Sequence, residues 1–202
     1  MEGTLGTVVS LLIGIGLSAA CGFRVFIPLL ALSIAALSGK VELSDTFAWI
    51  GTWPACIAFG AATIVEIAAY YIPWLDNALD SIATPLAIAA GVITSAALLA
   101  DVHPLIQWSL GIIAGGGAAG SVQAITASTR ATSSMTTAGI GNPIVSTVEA
   151  VSSTALSVIA ILLPVLAVLL FAAIIYVFIR LFFKRKRKAR TLADAWRSPY
   201  AQ

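Results

Sequence analysis

"STALSVIAILLPVLAVLLFAAIIYVFIRLFF", Ser153–Phe183, settles the class of fold. The run is far longer than the ~20 apolar residues that carry a helix across a hydrocarbon core. Backbone in lipid must satisfy its own hydrogen bonds, which leaves helices or a closed barrel. A barrel strand alternates apolar and polar side chains, and this run does not. The chain therefore reads as an all-α, polytopic integral membrane helical bundle. Composition agrees: of 202 residues, 59% are hydrophobic and 10% charged, with a mean hydropathy of +1.01. A soluble domain carries about 25% charged residues to wet its surface.

The run ends in a basic block, Lys184, Arg185, Lys186, Arg187, Lys188 and Arg190. The positive-inside rule places that block in the cytoplasm, where it also meets anionic headgroups of membrane lipids. No folded platform accompanies it, so nucleic acid is not an expected partner. Residues 1–183 read as one transmembrane helical domain and 184–202 as a basic cytoplasmic tail. Cys21 and Cys56 lie in apolar segments and form no secreted disulfide framework. The first apolar segment follows Met1-Glu2 without a basic region, which disfavours a cleaved signal peptide.

Upstream, the apolar runs are repeatedly interrupted. Thr4–Ser38 is too long for one straight crossing at ~1.5 Å per residue. A break is expected between Gly22 and Pro28, around Arg24. Gly39–Asp45 is a polar loop, and Thr46–Ile72 a second long run holding Glu66. Pro73–Thr84 reads as a connector with Asp76 and Asp80 on one helical face. Pro85–Ala100 is a short run, "DVHP" (Asp101–Pro104) a tight turn, and Leu105–Thr129 a glycine-rich helix. Pro164 interrupts the last run, as a turn between two spans or a kink in one. The count is about five to seven spans. Either total is odd, so a cytoplasmic C-terminus puts the N-terminus outside. "SLLIGIGLSAACGFRVF" (Ser10–Phe26) also aligns with "SLGIIAGGGAAGSVQAI" (Ser109–Ile125), as two internal repeats would. The copies run parallel if Pro85–Ala100 crosses the membrane and inverted if it only dips in. Repeat interfaces with broken helices are where transporters place their sites.

The most polar interruption is "SSMTTAGIGNPIVSTVEAV", Ser133–Val151. On a helix from Asn142, the residues Asn142, Ser146, Glu149, Ser153 and Ser157 fall on one face. Asn142 before Pro143 reads as an N-cap with proline in the first turn. On the preceding helix Gln123, Thr126, Arg130, Ser134 and Thr137 form a matching stripe, ended by "AGIG" with glycine as the left-handed cap. Irregular backbone within a membrane is tolerated only inside protein or along a watery cavity. The break should therefore lie inside the bundle and line a polar path.

Arg24, Glu66, Arg130 and Glu149 lie in or beside apolar segments. Each costs about 2.5–3.5 kcal/mol at the bilayer centre on insertion scales, so such residues face inward and pair. The expected pairs are Arg130 with Glu149, and Arg24 with Glu66, Asp76 or Asp80. These pairs either form a substrate or ion site or fix helix register, and the arginines have the further option of surface turns. His103 reads as an interfacial turn residue. The small-residue spacings Gly111, Gly115, Gly116, Gly120 and Gly14, Ser18, Gly22 suit close helix packing. Trp49, Trp53, Trp74 and Trp108 suit interfacial belts. "GIIAGGGAAG" lacks the Lys-Ser/Thr and preceding strand of a phosphate loop. HExxH, GxSxG and CxxC do not occur, so no catalytic residue, metal ligand or cofactor is assigned, and no enzyme is expected.

"GFRVFIPLLAL" (Gly22–Leu32), "VEIAAYYIPWLDNALD" (Val65–Asp80) and "STRATSSMTTAGIGNPIVSTVEAV" (Ser128–Val151), in that order, resemble the DUF4126 membrane family of bacteria and plants. The similarity covers about residues 10–170, and the TT-x-G-x-GNP-x-VS core with its following acid is the most specific part. The resemblance implies a multi-span inner-membrane protein and names no activity. By match, the motif positions are Arg24, Glu66, Pro73, Asp76, Asp80, Thr136, Thr137, Gly139, Gly141, Asn142, Pro143, Ser146 and Glu149. The chain departs from the family pattern at "SIATPL" (Ser81–Leu86), which lacks the His and Arg that precede the proline there.

The expected function is a small transporter or channel for an ion or small polar solute in a bacterial inner membrane. Its path would run along the broken helices near Gly22–Pro28 and Gly139–Glu149. Arg24, Glu66, Asp76, Asp80, Gln123, Arg130, Thr136, Thr137, Asn142, Ser146 and Glu149 would line it. Glu66 and Glu149 would take a proton or cation, and the start of the Asn142–Ser146 helix an anion or carbonyl. A chain this small is expected to form a homo-oligomer. The alternative is a non-transporting scaffold or lipid-interacting protein whose buried polar groups serve packing. A membrane-embedded enzyme would need a carboxylate pair facing a lipid-sized cleft.

Overall fold

Apolar runs interrupted by glycine and proline fold into helices, several of which begin at such a residue. In a computed structural model of the chain the backbone of residues 2–100 and 102–197 is described, without the side chains of 2–4, 73, 74, 77, 182 and 185–197. The belt position expected for Trp74, the side chains of Arg185, Lys186, Arg187, Lys188 and Arg190, and Asp101 thus lie outside the described residues. The elements are α1 (Glu2–Cys21), α2 (Phe26–Leu37), a 3-10 segment (Asp45–Gly51), α3 (Trp53–Ala69) and α4 (Pro73–Ala97). They continue with α5 (Pro104–Leu110), a π-helical segment (Gly111–Gly116), α6 (Gly117–Thr137), α7 (Asn142–Leu162) and α8 (Pro164–Arg197). Among the described residues there is no strand. The chain forms two units, Met1–Val168 and Leu169–Gln202. The first holds every candidate site residue.

The first long run breaks where expected. α1 ends at Cys21 and the N–H groups of Gly22 and Phe23 turn back to the carbonyls of Ala19 and Ala20. Gly22 is required there because α6 presses against it. A Cβ at that position would lie 2.5 Å from the Ala119 carbonyl oxygen and 2.9 Å from the Gln123 nitrogen. Pro28 falls in the first turn of α2, where a helix has no acceptor for its N–H. The second half, Phe26–Leu37, has 12 residues and is short of a full crossing.

The segment read as a connector, Pro73–Thr84, is instead the first three turns of α4, and Pro85 lies inside that helix. A membrane helix tolerates such a proline because neighbours and side chains satisfy the freed backbone groups. Asp76 and Asp80 keep their shared face. The glycine-rich helix extends further than read, from Pro104 to Thr137, and holds the unanticipated π turn. There Gly111 and Gly115 lie against Val92, Ser95, Ala96 and Gly91 of α4, so the two backbones touch. The aligned stretches Ser10–Phe26 and Ser109–Ile125 differ locally: the first contains the break at Gly22, the second stays helical throughout. His103 precedes α5 and its Nδ1 accepts the Leu105 N–H at 3.3 Å, an exposed capping role.

The polar break also differs in detail from expectation. Ala138 takes the left-handed conformation (φ 51°) at the end of α6, and Gly139 follows at φ 87°. Gly141, not Asn142, is the N-cap of α7. Asn142 is already helical, and its side chain is released for a longer-range contact. Leu163 leaves the helix at φ −139°, ψ 66°, so Pro164 begins a new helix rather than kinking α7.

Among the described residues, four helical stretches are long and apolar enough to cross a membrane: Ala78–Ala97, Pro104–Thr137, Asn142–Leu162 and Pro164–Leu181. A fifth forms if Asp45–Gly51 and Trp53–Ala69, bent by 65°, act as one. Within the first unit α1 is central and packs against α2, α4, α6 and α7. Its buried residues Ser18, Ala19, Ala20 and Cys21 are small, as are Ala87 and Ala90 of α4 and Ala118 and Ala119 of α6. Small side chains let helices approach where lipid supplies no hydrophobic drive. The outward faces carry Ile57, Ile64, Val65, Ile113, Val148 and Val151, exposed as lipid-facing residues are.

Candidate functional site

Four helices and one helix break deliver charged groups to a single buried place. Arg24 comes from the α1–α2 break, Glu66 from α3, Asp76 and Asp80 from α4, Arg130 from α6 and Glu149 from α7. Glu149 is 4% exposed. The stripe read on α7 is buried at all five positions, Asn142, Ser146, Glu149, Ser153 and Ser157. Ser153 Oγ donates to the Ala20 carbonyl at 3.0 Å, fastening α7 to the end of α1.

Arg130 is the hub. Its Nε donates to Glu149 Oε1 at 3.0 Å and Oε2 at 3.2 Å, and its Nη2 to Glu149 Oε2 and to Ser146 Oγ at 3.0 Å. Its Nη1 donates to Asp76 Oδ1 at 2.5 Å and lies 3.5 Å from Asp80 Oδ1. The bidentate fork to Glu149 is the geometry in which guanidinium and carboxylate bind most strongly. Asp76 is held from the other side by Asn142, whose Nδ2 donates to Asp76 Oδ2 at 3.0 Å and to Ser134 Oγ at 3.1 Å. The Asp80 side chain is 32% exposed and is the part of the cluster nearest to solvent.

Arg24 is the second cation. Its Nη2 donates to the Ser146 carbonyl at 3.0 Å and lies 3.3 Å from Glu149 Oε2. The expected pair of Arg130 with Glu149 is present. The expected pairing of Arg24 with Glu66, Asp76 or Asp80 is replaced by Arg24 with Glu149. The reason is the helix break: the N–H groups of Val25 and Phe26 open α2 and need acceptors. Glu66 supplies them, Oε1 accepting from Val25 at 2.9 Å and Oε2 from Phe26 at 3.1 Å. A carboxylate at a helix N-terminus also meets the positive end of the helix dipole.

Tyr70 joins the cluster unannounced. The guanidinium carbons of Arg24 and Arg130 lie 3.7 and 4.3 Å from its ring centroid. Cation–π attraction is strongest where water is excluded, and Tyr70 is buried. It caps the C-terminal end of α3, four residues after Glu66. Gln123 is buried beside the break at Gly22. Thr136 and Thr137 are not brought in: both are exposed, and their hydroxyls donate to the carbonyls of Thr132 and Ser133 in their own helix. The start of α7 is not a free anion cradle either. The N–H groups of Asn142, Ile144 and Val145 are taken by the Gly139 and Gly141 carbonyls.

Four carboxylates thus gather around two guanidiniums. Such a cluster can hold a proton or cation, pass it between carboxylates, or lock helices together. Among the described residues no three His, Cys, Asp or Glu are grouped to hold a metal ion. Glu66→Ala should destabilise the folded protein by about 2–3 kcal/mol, because two N–H groups of the break lose their acceptor. Glu66→Gln, which keeps one acceptor, should cost roughly half as much. Chemical unfolding of the purified protein in detergent measures both.

A family model described as "Domain of unknown function (DUF4126)" matches residues 11–184. No curated protein and no solved structure matches the chain.

Proposed function

The chain belongs to the DUF4126 family, and from the geometry of its buried charges we propose that it is a small membrane transporter or channel for an ion or small polar solute. The observation that carries this reading is the excess of carboxylate over guanidinium in a cluster that helix breaks bring into the bundle. Fixing helix register needs only matched pairs, whereas surplus carboxylates in a low-dielectric interior draw protons or cations. Asp80 is the entry, with Arg130, Asp76 and Glu149 behind it and Glu66 beyond Arg24. The protein would sit in a bacterial inner membrane as a homo-oligomer, its C-terminus cytoplasmic and its N-terminus outside.

One observation favours the scaffold reading. Every guanidinium nitrogen of Arg130 is engaged by a neighbouring side chain, the state of a packing device. Flux separates the two. Reconstituted into liposomes, the protein should dissipate an imposed proton or alkali-cation gradient faster than empty vesicles. Asp80→Asn removes the most exposed carboxylate and leaves the Arg130–Glu149 fork intact. It should slow the flux by about tenfold, the effect of losing one charged contact of ~1.4 kcal/mol on the path. Wild-type vesicles no leakier than empty ones would remove the transport reading and leave the scaffold.

A further inference from the structure

Arg24 and Arg130 have the same chemistry, lie against the same tyrosine and share Glu149, yet only one of them is satisfied. Arg24 is 2% exposed. Its Nη2 is used, but its Nε and Nη1, buried as well, have no hydrogen-bond partner among the described residues. Three N–H bonds of a buried cation are thereby left without an acceptor. Such donors carry the full desolvation penalty of a charged group. The nearby acceptors are committed elsewhere. Glu66 is held by Val25 and Phe26, and Glu149 by Arg130. The protein therefore presents donors, at a helix break, for an acceptor it does not itself provide.

Charge decides what kind of acceptor. A bare anion would add negative charge to a place already rich in carboxylates, at about 4 kcal/mol per contact at 4 Å and an effective dielectric of 20. A proton that arrives with it leaves the net charge of the place unchanged. Of the four carboxylates in the cluster, Glu66 is the one with no salt bridge among the described residues. We propose that the Gly22–Val25 break is the binding site of a small oxyanion, a carboxylate or phosphate, whose oxygens accept from Arg24 Nε and Nη1 and which binds together with one proton taken up by Glu66. This names the solute class of the path described above and rests on that reading. The step forms hydrogen bonds and one O–H bond on Glu66; the proton leaves hydronium or a protonated buffer molecule, whose own O–H or N–H bond breaks and whose conjugate base stays in solution.

The test is calorimetric titration of the full chain in lipid nanodiscs with lactate and, separately, inorganic phosphate, in buffers of different ionisation enthalpy. At least one of the two should bind with uptake of about one proton per ion. Arg24→Lys keeps the charge beside Glu149 but lacks Nε and the second nitrogen. It should weaken binding by about tenfold or more. Glu66→Gln should still bind but without proton uptake, an arm that stands even if Arg24→Lys does not fold. Binding by neither probe would mean that the donors are merely hydrated, and the proposal fails. It fails equally if the wild type binds without proton uptake, if a folded Arg24→Lys protein binds as tightly, or if Glu66→Gln takes up the same proton. The flux assay is independent: cation flux without oxyanion binding overturns this site and leaves transport standing. Binding without flux does the reverse.

Discussion

Arg130→Gln is expected to cost about 3–5 kcal/mol of stability, the penalty for breaking a buried ion pair by removing one partner. The reason is asymmetry. Arg130 satisfies Glu149 through a fork and Asp76 through Nη1, with Asp80 alongside. Without it, Asp76 remains buried and charged with no counter-ion among the described residues, and Glu149 loses the stronger of its two. Asp76 keeps only Asn142, and Glu149 keeps only Arg24 at 3.3 Å. Denaturant unfolding in detergent should show the loss. Adding Asp76→Asn and Glu149→Gln to an Arg130→Met chain should recover much of it, since an apolar or neutral replacement of a whole buried ionic group is often tolerated. A single Arg130→Gln chain as stable as wild type would mean that the cluster is solvated.

Gly22→Val should be comparably severe for a different reason. Its Cβ alone would lie 2.5 Å from the Ala119 carbonyl oxygen and from Val122 Cβ, and 2.9 Å from the Gln123 nitrogen. Two of those three atoms are α6 backbone and cannot rotate away. Overpacking of a well-packed core costs typically 1–3 kcal/mol, and a branched side chain against backbone falls at or above the top of that range. The displacement also moves α6 relative to the α1–α2 break, so the contacts of Arg130 and Arg24 should loosen together. Gly117→Ala, on the same helix with nothing within 4 Å of the new Cβ, is the control. Helix propensity favours it by ~1 kcal/mol or less. Thermal unfolding of both chains checks the contrast.

Much of the site was legible because helical periodicity survives any uncertainty about tertiary structure. Asn142, Ser146, Glu149, Ser153 and Ser157 share a face on any α-helix, and polar atoms on a membrane helix turn inward. The Arg130–Glu149 pair followed from the same spacing across the Gly139–Asn142 break. What stayed illegible depended on neighbours. Glu66 was assigned to Arg24 because two charges in apolar sequence invite pairing. The competing demand, two N–H groups at the start of α2, exists only once the break is placed between Cys21 and Phe26. Thr137 fits the α6 stripe by period but lies at the helix end, past the buried part. Pro85 suggested a stop, yet α4 runs through it, since sequence alone does not reveal which neighbours compensate a proline inside lipid. The π turn at Gly111–Gly116 carries no local signal beyond its glycines, and Tyr70 becomes informative only when two arginines reach its ring.

Convergence of α4, α6 and α7 on one buried cluster underlies every expectation above, and a double-mutant cycle between Asp76 and Arg130, residues 54 apart in sequence, tests it most directly. Asp76→Asn, Arg130→Gln and the double mutant would be unfolded in lipid and compared with wild type. The geometry predicts a coupling of at least about 1.5 kcal/mol, as for close buried charge pairs. Effects that simply add, within about 0.5 kcal/mol, would contradict it.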